Sequence, residues 1–157
     1  MAVGSRYKGS DAAHNKAEVY LHSTSSWTTK ANYTFSKIIY DFDIIAHTDL
    51  FILVGGLYPY QRADLSTGFS PGYVIAKFNP DANKWTKLGN LRTGRHGFAV
   101  IQNDQKYLVM GGEGYKSTEV CVWNSETIEC SSREPSLNEF RYYPALMIVD
   151  SDYAGNC

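Results

Sequence analysis

The sequence predicts an all-β fold assembled from a repeated antiparallel unit of four strands. Three observations carry this prediction. An apolar run closes on a glycine pair twice, 56 residues apart. Three times, an aromatic residue is followed seven positions later by a second marker and then by a basic residue. Short runs of β-branched and aromatic residues alternate at period two, with turn formers between them. A period of this length means one supersecondary unit used several times.

Taken in order, Phe51-Ile-Leu-Val54 ends at Gly55-Gly56, and Tyr107-Leu-Val-Met110 ends at Gly111-Gly112. The aromatic series are Tyr20, Trp27, Lys37; then Phe78, Trp85, Arg95; then Trp123, Cys130, Arg141. The first step is 7 each time, and the second is 10, 10 and 11. Gly4-Ser5, after Met1-Ala-Val3, reads as a degraded glycine pair. The step from glycine to aromatic is 23 after Gly55 but 12 after Gly111. Surface loops tolerate such changes and regular elements do not, so the variable step is a loop.

Two sets of four strands follow from the alternation. Ile38 to Ala46, Leu50 to Val54, Tyr73 to Phe78 and Trp85 to Leu88 form the first. Gly97 to Gln102, Lys106 to Met110, Glu119 to Trp123 and Thr127 to Cys130 form the second. Asn79-Pro-Asp-Ala-Asn83, Asn103-Asp104 and Asn124-Ser125 supply the turns. A hairpin around Tyr20 and Trp27 precedes these sets, and one inner strand, Tyr143 to Val149, follows. Asp11 caps at most a single helical turn, over 11–16. Four strands per period of roughly 45 to 58 residues fit a propeller blade with insertions.

The stretch Phe78-Asn-Pro-Asp-Ala-Asn-Lys-Trp85, with Leu88, Leu91, Arg95, Gly97, Tyr107 and Gly111-Gly112, resembles the kelch repeat. The resemblance covers nearly the whole chain as about three repeat-lengths and is strongest over 73–112. It implies a partial kelch-type β-propeller of four-stranded antiparallel blades. Lys37 stands where the family has Arg, and Cys130 where it has Trp, which implies a less firmly anchored blade around Cys130. Gly55, Gly56, Phe78, Trp85, Arg95, Tyr107, Gly111, Gly112, Trp123 and Arg141 are expected to hold blades together rather than to bind anything.

The division expected is the outer part of one blade over 1–37, a second blade over 38–90, a third over 95–132, and the first strand of a fourth over 141–157. A propeller needs at least four blades. The chain therefore reads as a fragment of a longer protein, and sheets left open expose apolar faces that favour self-association or the remaining blades of a parent chain. Net charge is −1 with no run of like charge, which excludes an electrostatic footprint for nucleic acid or anionic lipid. No apolar stretch is long enough to span a membrane.

In a propeller blade with strands a to d, the b–c and d–a connections share one face. Leu57 to Gly72 is the longest b–c loop and carries Tyr58, Tyr60, Arg62, Asp64 and Phe69. Arg92 joins from a d–a loop, and Tyr115 and Lys116 from the other b–c loop. Tyr and Arg are favoured interface anchors, and long loops in compact domains are often binding elements. A compact loop packed on its own aromatics is the alternative.

The catalytic motifs sought are absent. His14, His22, His47 and His96 are scattered, with no pair at metal-ligand spacing. There is no Gly-x-Ser-x-Gly, phosphate loop or His-Glu-x-x-His. Asp41 and Asp43 share one strand face without an evident partner. A two-residue turn at Ser125-Glu126 would put Cys121 opposite Cys130, within disulfide reach. The repeat instead favours a longer turn that sets Trp123 opposite Cys130 and leaves Cys121 diagonal. The compartment stays open: the N-terminus lacks a secretory apolar core, while Cys121, Cys130, Cys157 and the sequon at Asn32 are compatible with secretion. The expected function is a module that binds another protein, as adaptor or scaffold, with no cofactor. The alternative is a fragment of a kelch-type propeller enzyme of the oxidase or sugar isomerase class, whose copper site would need convergent Tyr and His.

Overall fold

The structure is a computed structural model, and it describes residues 2–3, 17–30, 41–47, 49–124, 126–133 and 136–148. The degraded glycine pair at Gly4, the turn capped by Asp11, Asn32, Lys37 and Cys157 lie outside the described residues. Among the described residues there are twelve strands and no helix. Among the described residues, no helix is long and apolar enough to cross a membrane.

β1 (Ala2–Val3), β2 (Ala17–Leu21) and β3 (Ser26–Lys30) make a small antiparallel sheet in which Tyr20 faces Trp27. β4 (Asp43–His47), β5 (Leu50–Val54), β7 (Thr67–Asn79) and β8 (Lys84–Arg95) follow as one antiparallel set. β9 (Phe98–Asn103), β10 (Lys106–Gly111), β11 (Thr118–Trp123) and β12 (Ile128–Arg133) form a second. Below, these three units are the first hairpin, blade two and blade three. Both four-strand sets expected from period-two alternation are present. The outer strands β8 and β12 also touch in parallel, at Gly89 and Ile128.

Two apolar seams hold these sheets. Val19 of the first hairpin packs with Leu53, Val74, Ala76, Phe78 and Trp85 of blade two. The other side of blade two, with Ile52, Val54, Ile75 and Leu88, packs on Tyr107, Val109, Cys121, Trp123 and Ile128 of blade three. Alternate residues of β5 thus enter different seams. That explains why this strand is apolar on both faces.

The glycine pairs sit where these seams converge. Gly55 has φ +60°, and a Cβ there would lie 2.7 Å from the Phe98 ring and 2.8 Å from the Arg95 carbonyl. Gly56, at φ 107°, donates its N–H to that same carbonyl at 2.8 Å. Gly112, at φ 109°, repeats this with the Arg141 carbonyl, also at 2.8 Å. A side chain would block both the approach and the backbone angle. Asp41 and Gly97 likewise share positive φ (47° and 59°) just before the inner strands β4 and β9, and Tyr143 has φ 52°.

Three expectations are corrected. Leu57 to Gly72 is not an irregular loop: β6 (Leu57–Gln61) pairs with the first half of β7, Tyr58 opposite Ser70 and Tyr60 opposite Gly68. It is a two-stranded ribbon growing out of blade two. Pro59 is tolerated because β6 lies at the ribbon's edge, paired only with β7. Secondly, Cys121 faces Cys130 and the two are disulfide-bonded, while Trp123 faces Ile128. Asn124 enforces the tight turn, its N–H donating to the Thr127 carbonyl and its Oδ1 accepting from Thr127 N and Oγ1. In the longer turn of blade two, Asn79 Oδ1 instead accepts from Asp81 N and Ala82 N. Cys121 opposes Tyr107 as Phe78 opposes Phe51, so the disulfide replaces the Phe78–Trp85 ring pair. The weaker anchoring expected at Cys130 gives way to a covalent cross-strand link. Thirdly, the strand expected over Tyr143 to Val149 is not formed by residues 143–148. No neighbouring strand pairs with them among the described residues, and Pro144 has no N–H to donate.

Candidate functional site

The ribbon and the ends of the b–c and d–a connections lie on one edge of the sheets. Strand alternation places Tyr58 and Tyr60 on one ribbon face and Phe69 on the other. Tyr58 crosses the backbone at Gly72, and Tyr60 with Arg62 crosses it at Gly68; a Cβ at either glycine would collide with the tyrosine ring. Tyr58 is half-buried, and burial pushes its phenol up to about 12. Tyr60 is 43% exposed, while Phe69 and Tyr73, on the opposite face, are each 51% exposed. At the tip Asp64 Oδ1 accepts from Ser66 N and Oγ, which holds its carboxyl below the usual range. Arg62 and Asp64 are both exposed.

The other candidates are placed differently. The Arg92 side chain is exposed while its N–H is held by Glu119 at 2.8 Å. Tyr115 lies over the Arg95 guanidinium, 5.4 Å from ring centroid to carbon. Lys116 Nζ donates to the Asn138 carbonyl at 2.8 Å, and its own carbonyl accepts from Leu137 N. Lys116 thus holds blade three to Leu137 and Asn138, while Tyr115 covers Arg95.

Beneath this edge lies a polar network missing from the sequence reading. Arg95 is fully buried and Glu119 is 1% exposed, with Nη2 to Oε1 at 3.0 Å. Arg95 also donates to the carbonyls of Gly111 and Ser117, at 2.8 and 2.9 Å, and to Ser117 Oγ. Glu119 accepts further from Arg92 N and Thr93 N. A single ion pair therefore ties the end of β8 to the ends of β10 and β11. The signal was available: Glu119 is in phase with Cys121 and Trp123, and a carboxylate in step with a core face demands a partner. Arg141 repeats only the backbone part of this arrangement; its side chain is exposed, with Nη1 3.3 Å from the Phe140 carbonyl.

The histidines and aspartates also find partners. Asp43 Oδ2 accepts from Val100 N at 3.1 Å, bridging the inner strands β4 and β9. His96 Nε2 lies 2.8 Å from Glu113 Oε2, and its Nδ1 is 3.9 Å from Asp41 Oδ2. His47 Nδ1 is 2.7 Å from both Gln102 Nε2 and the Tyr107 hydroxyl, and its ring lies 4.3 Å from that of Trp123. His47 and His96 thus serve separate contacts. The one metal-competent set among the described residues, Glu119, Cys121 and Cys130, has its thiols spent in the disulfide.

Repeated four-stranded sheets meeting at glycine pairs define part of a β-propeller. No family model matches the chain. Kelch-like protein 15 of Mus musculus is 26% identical over 92 residues, covering 59% of this chain and 15% of its own length. Kelch-like protein 11 of Homo sapiens is 28% identical over 96 residues, covering 59% of this chain and 13% of its own. The chain thus spans only a small part of either relative. Among solved structures, that of YjhT superposes with a TM-score of 0.63 at 13% identity, over 84% of this chain and 48% of that one. The chain is similar to kelch-repeat proteins over part of their length, and its fold is part of an all-β propeller of the kelch type.

Proposed function

We propose that the chain is a protein-interaction module, part of an adaptor or scaffold, that meets its partner along the ribbon edge. The observation that carries this reading is the ribbon itself. β6 and the first half of β7 project beyond blade two and pair with each other. They carry exposed Tyr60, Phe69, Arg62 and Leu65 on a rigid, hydrogen-bonded support. Rigid aromatics lose little entropy on binding, and Tyr and Arg dominate interface energetics. Tyr58, Tyr60, Arg62, Asp64 and Phe69 form the proposed contact, with Arg92, Tyr115 and Lys116 flanking it. The Kelch-like names of the relatives support a non-catalytic role.

Capture of partners from a lysate, followed by mass spectrometry, tests the reading. Changing Tyr58, Tyr60 and Arg62 together to Ala is expected to abolish capture without altering the circular dichroism of the folded chain. Undiminished capture by the triple variant contradicts the assignment.

A further inference from the structure

Between β8 and β9 one imidazole nitrogen offers a hydrogen bond that the fold does not take up. His96 is 6% exposed, and its Nε2 lies 2.8 Å from Glu113 Oε2. An ionised carboxylate only accepts, so this contact sets the imidazole proton on Nε2 and leaves the Nδ1 lone pair as an acceptor. Nδ1 is buried, and no described residue donates to it. Asp41 Oδ2 lies 3.9 Å away, too far for a hydrogen bond and itself an acceptor. Buried polar atoms are nearly always hydrogen-bonded, so two acceptors meeting across such a gap call for a donor.

The surroundings specify a positively charged one. The Asp41 and Glu113 side chains are 38% and 67% exposed, and among the described residues no lysine or arginine pairs with either. Arg95 is held by Glu119, and Arg141 donates to the Phe140 carbonyl. Two carboxylates beside an uncharged imidazole attract a cation. Tyr142 stands edge-on to the His96 ring, centroids 5.7 Å apart at 84°, and Tyr143 packs on Tyr142 at 4.2 Å. The Tyr143 phenol is held above its ordinary value by the Tyr142 hydroxyl, by burial and by Asp41, so the aromatic pair borders that carboxylate too. Aromatic rings add to the attraction for a cation. An ammonium is compact, carries several N–H groups on one nitrogen and ends a flexible stem. It therefore suits a gap this narrow better than the planar fork of a guanidinium.

We propose that Asp41 and His96 Nδ1 form a subsite for the ammonium of a lysine side chain, presented by a protein partner. The ammonium donates to both acceptors, and entry needs a turn of the half-exposed Asp41 side chain, the outer wall of the gap. Glu113 holds the His96 tautomer from the other side of the ring and is a positioning residue. Asp41 and His96 precede the inner strands β4 and β9, and Glu113 follows Gly112, so the subsite opens on the edge that carries the ribbon. It rests on the reading of that edge as a contact surface only for the source of the lysine.

Nitrogen NMR of isotope-labelled histidine rings at mildly alkaline pH, with Nα-acetyl-lysine methylamide as probe, tests this without the ribbon's partner. The free chain is expected to show the His96 proton on Nε2 alone. The probe is expected to move the Nδ1 resonance saturably, and the same probe acetylated on Nζ, which has lost its charge, is expected not to. Asp41→Asn, in which asparagine accepts the φ of 47°, is expected to weaken binding about tenfold or more with unchanged circular dichroism. A proton on both ring nitrogens of the free chain overturns the proposal. So does the absence of a saturable movement, an equal response to the acetylated probe, or undiminished binding by Asp41→Asn. A stronger response to the arginine analogue overturns the assignment to lysine. The ribbon contact has its own separate test in the capture by the triple variant, so failure of one reading is distinguished from failure of the other.

Discussion

Removing the Glu119 carboxylate strikes the contact on which the end of β8 and blade three jointly depend. In Glu119→Ala, Arg95 keeps its hydrogen bonds to Gly111, Ser117 O and Ser117 Oγ but loses its counter-ion while remaining fully buried. Breaking a buried pair from one side costs about 3–5 kcal/mol, because the charge left behind is uncompensated. The N–H groups of Arg92 and Thr93 lose their acceptor as well. These two are only partly buried, so water replaces much of that loss. Against a typical folding stability of about 5–15 kcal/mol, the variant forfeits a large fraction. Glu119→Gln keeps an acceptor oxygen and is expected to cost less, about 1–3 kcal/mol. Urea unfolding followed by circular dichroism measures each value. Replacing both partners, with Arg95→Met and Glu119→Leu, should cost less than the sum of the single changes, since no orphan charge remains. A Glu119→Ala cost below about 1 kcal/mol, or strict additivity of the two changes, refutes the reasoning.

Two further outcomes follow from the packing and electrostatics. Trp85→Ala empties a site against Phe78, whose ring centroid lies 5.0 Å away, and is expected to cost about 3–5 kcal/mol in the same assay; a loss under about 1 kcal/mol would place the ring outside the seam. Burial raises the Asp43 carboxyl above its ordinary value, and the N–H groups of Ile44 and Val100 only partly oppose this. A raised folded pKa means its contribution is fully present below the unfolded value and is lost as pH rises through the folded one. Asp43→Asn should therefore flatten the fall in Tm from acid to neutral pH and raise Tm at neutrality. An unchanged slope with a lower neutral Tm contradicts that sign.

What the sequence made legible was whatever the repeat imposed on residue type. Gly55, Gly111 and Gly112, within the two glycine pairs, mark places where backbone comes close enough to exclude a Cβ. Phe78 and Trp85 recur because a seam needs a large apolar pair there. The ribbon was hidden by Pro59 and by the glycine and serine content of 64–72, which read as loop. Its pairing is carried by backbone hydrogen bonds, and Gly68 and Gly72 serve it by yielding space to Tyr60 and Tyr58. The disulfide was missed for a different reason. A constant step of seven equated Trp123 with Phe78, whereas turn chemistry at Asn124 moved the register and gave that position to Cys121. Glu119 and Asp43 show a third limit: a charge inside an apolar strand announces a partner without naming it. Their partners, Arg95 and Val100 N, are 24 and 57 residues away along the chain.

The central claim is that the repeated units are propeller blades meeting at the glycine pairs, and the contact between Gly55 and the Phe98 ring tests it most directly. Proton NMR of the folded chain is expected to show Gly55 α-protons shifted by the ring current, with nuclear Overhauser contacts to the Phe98 ring. Both should vanish in Phe98→Leu, while the Tyr20–Trp27 contacts of the first hairpin persist. Gly55 α-protons at ordinary shifts, with no contact to Phe98 in a folded chain, would mean that the two four-stranded units do not meet at this seam.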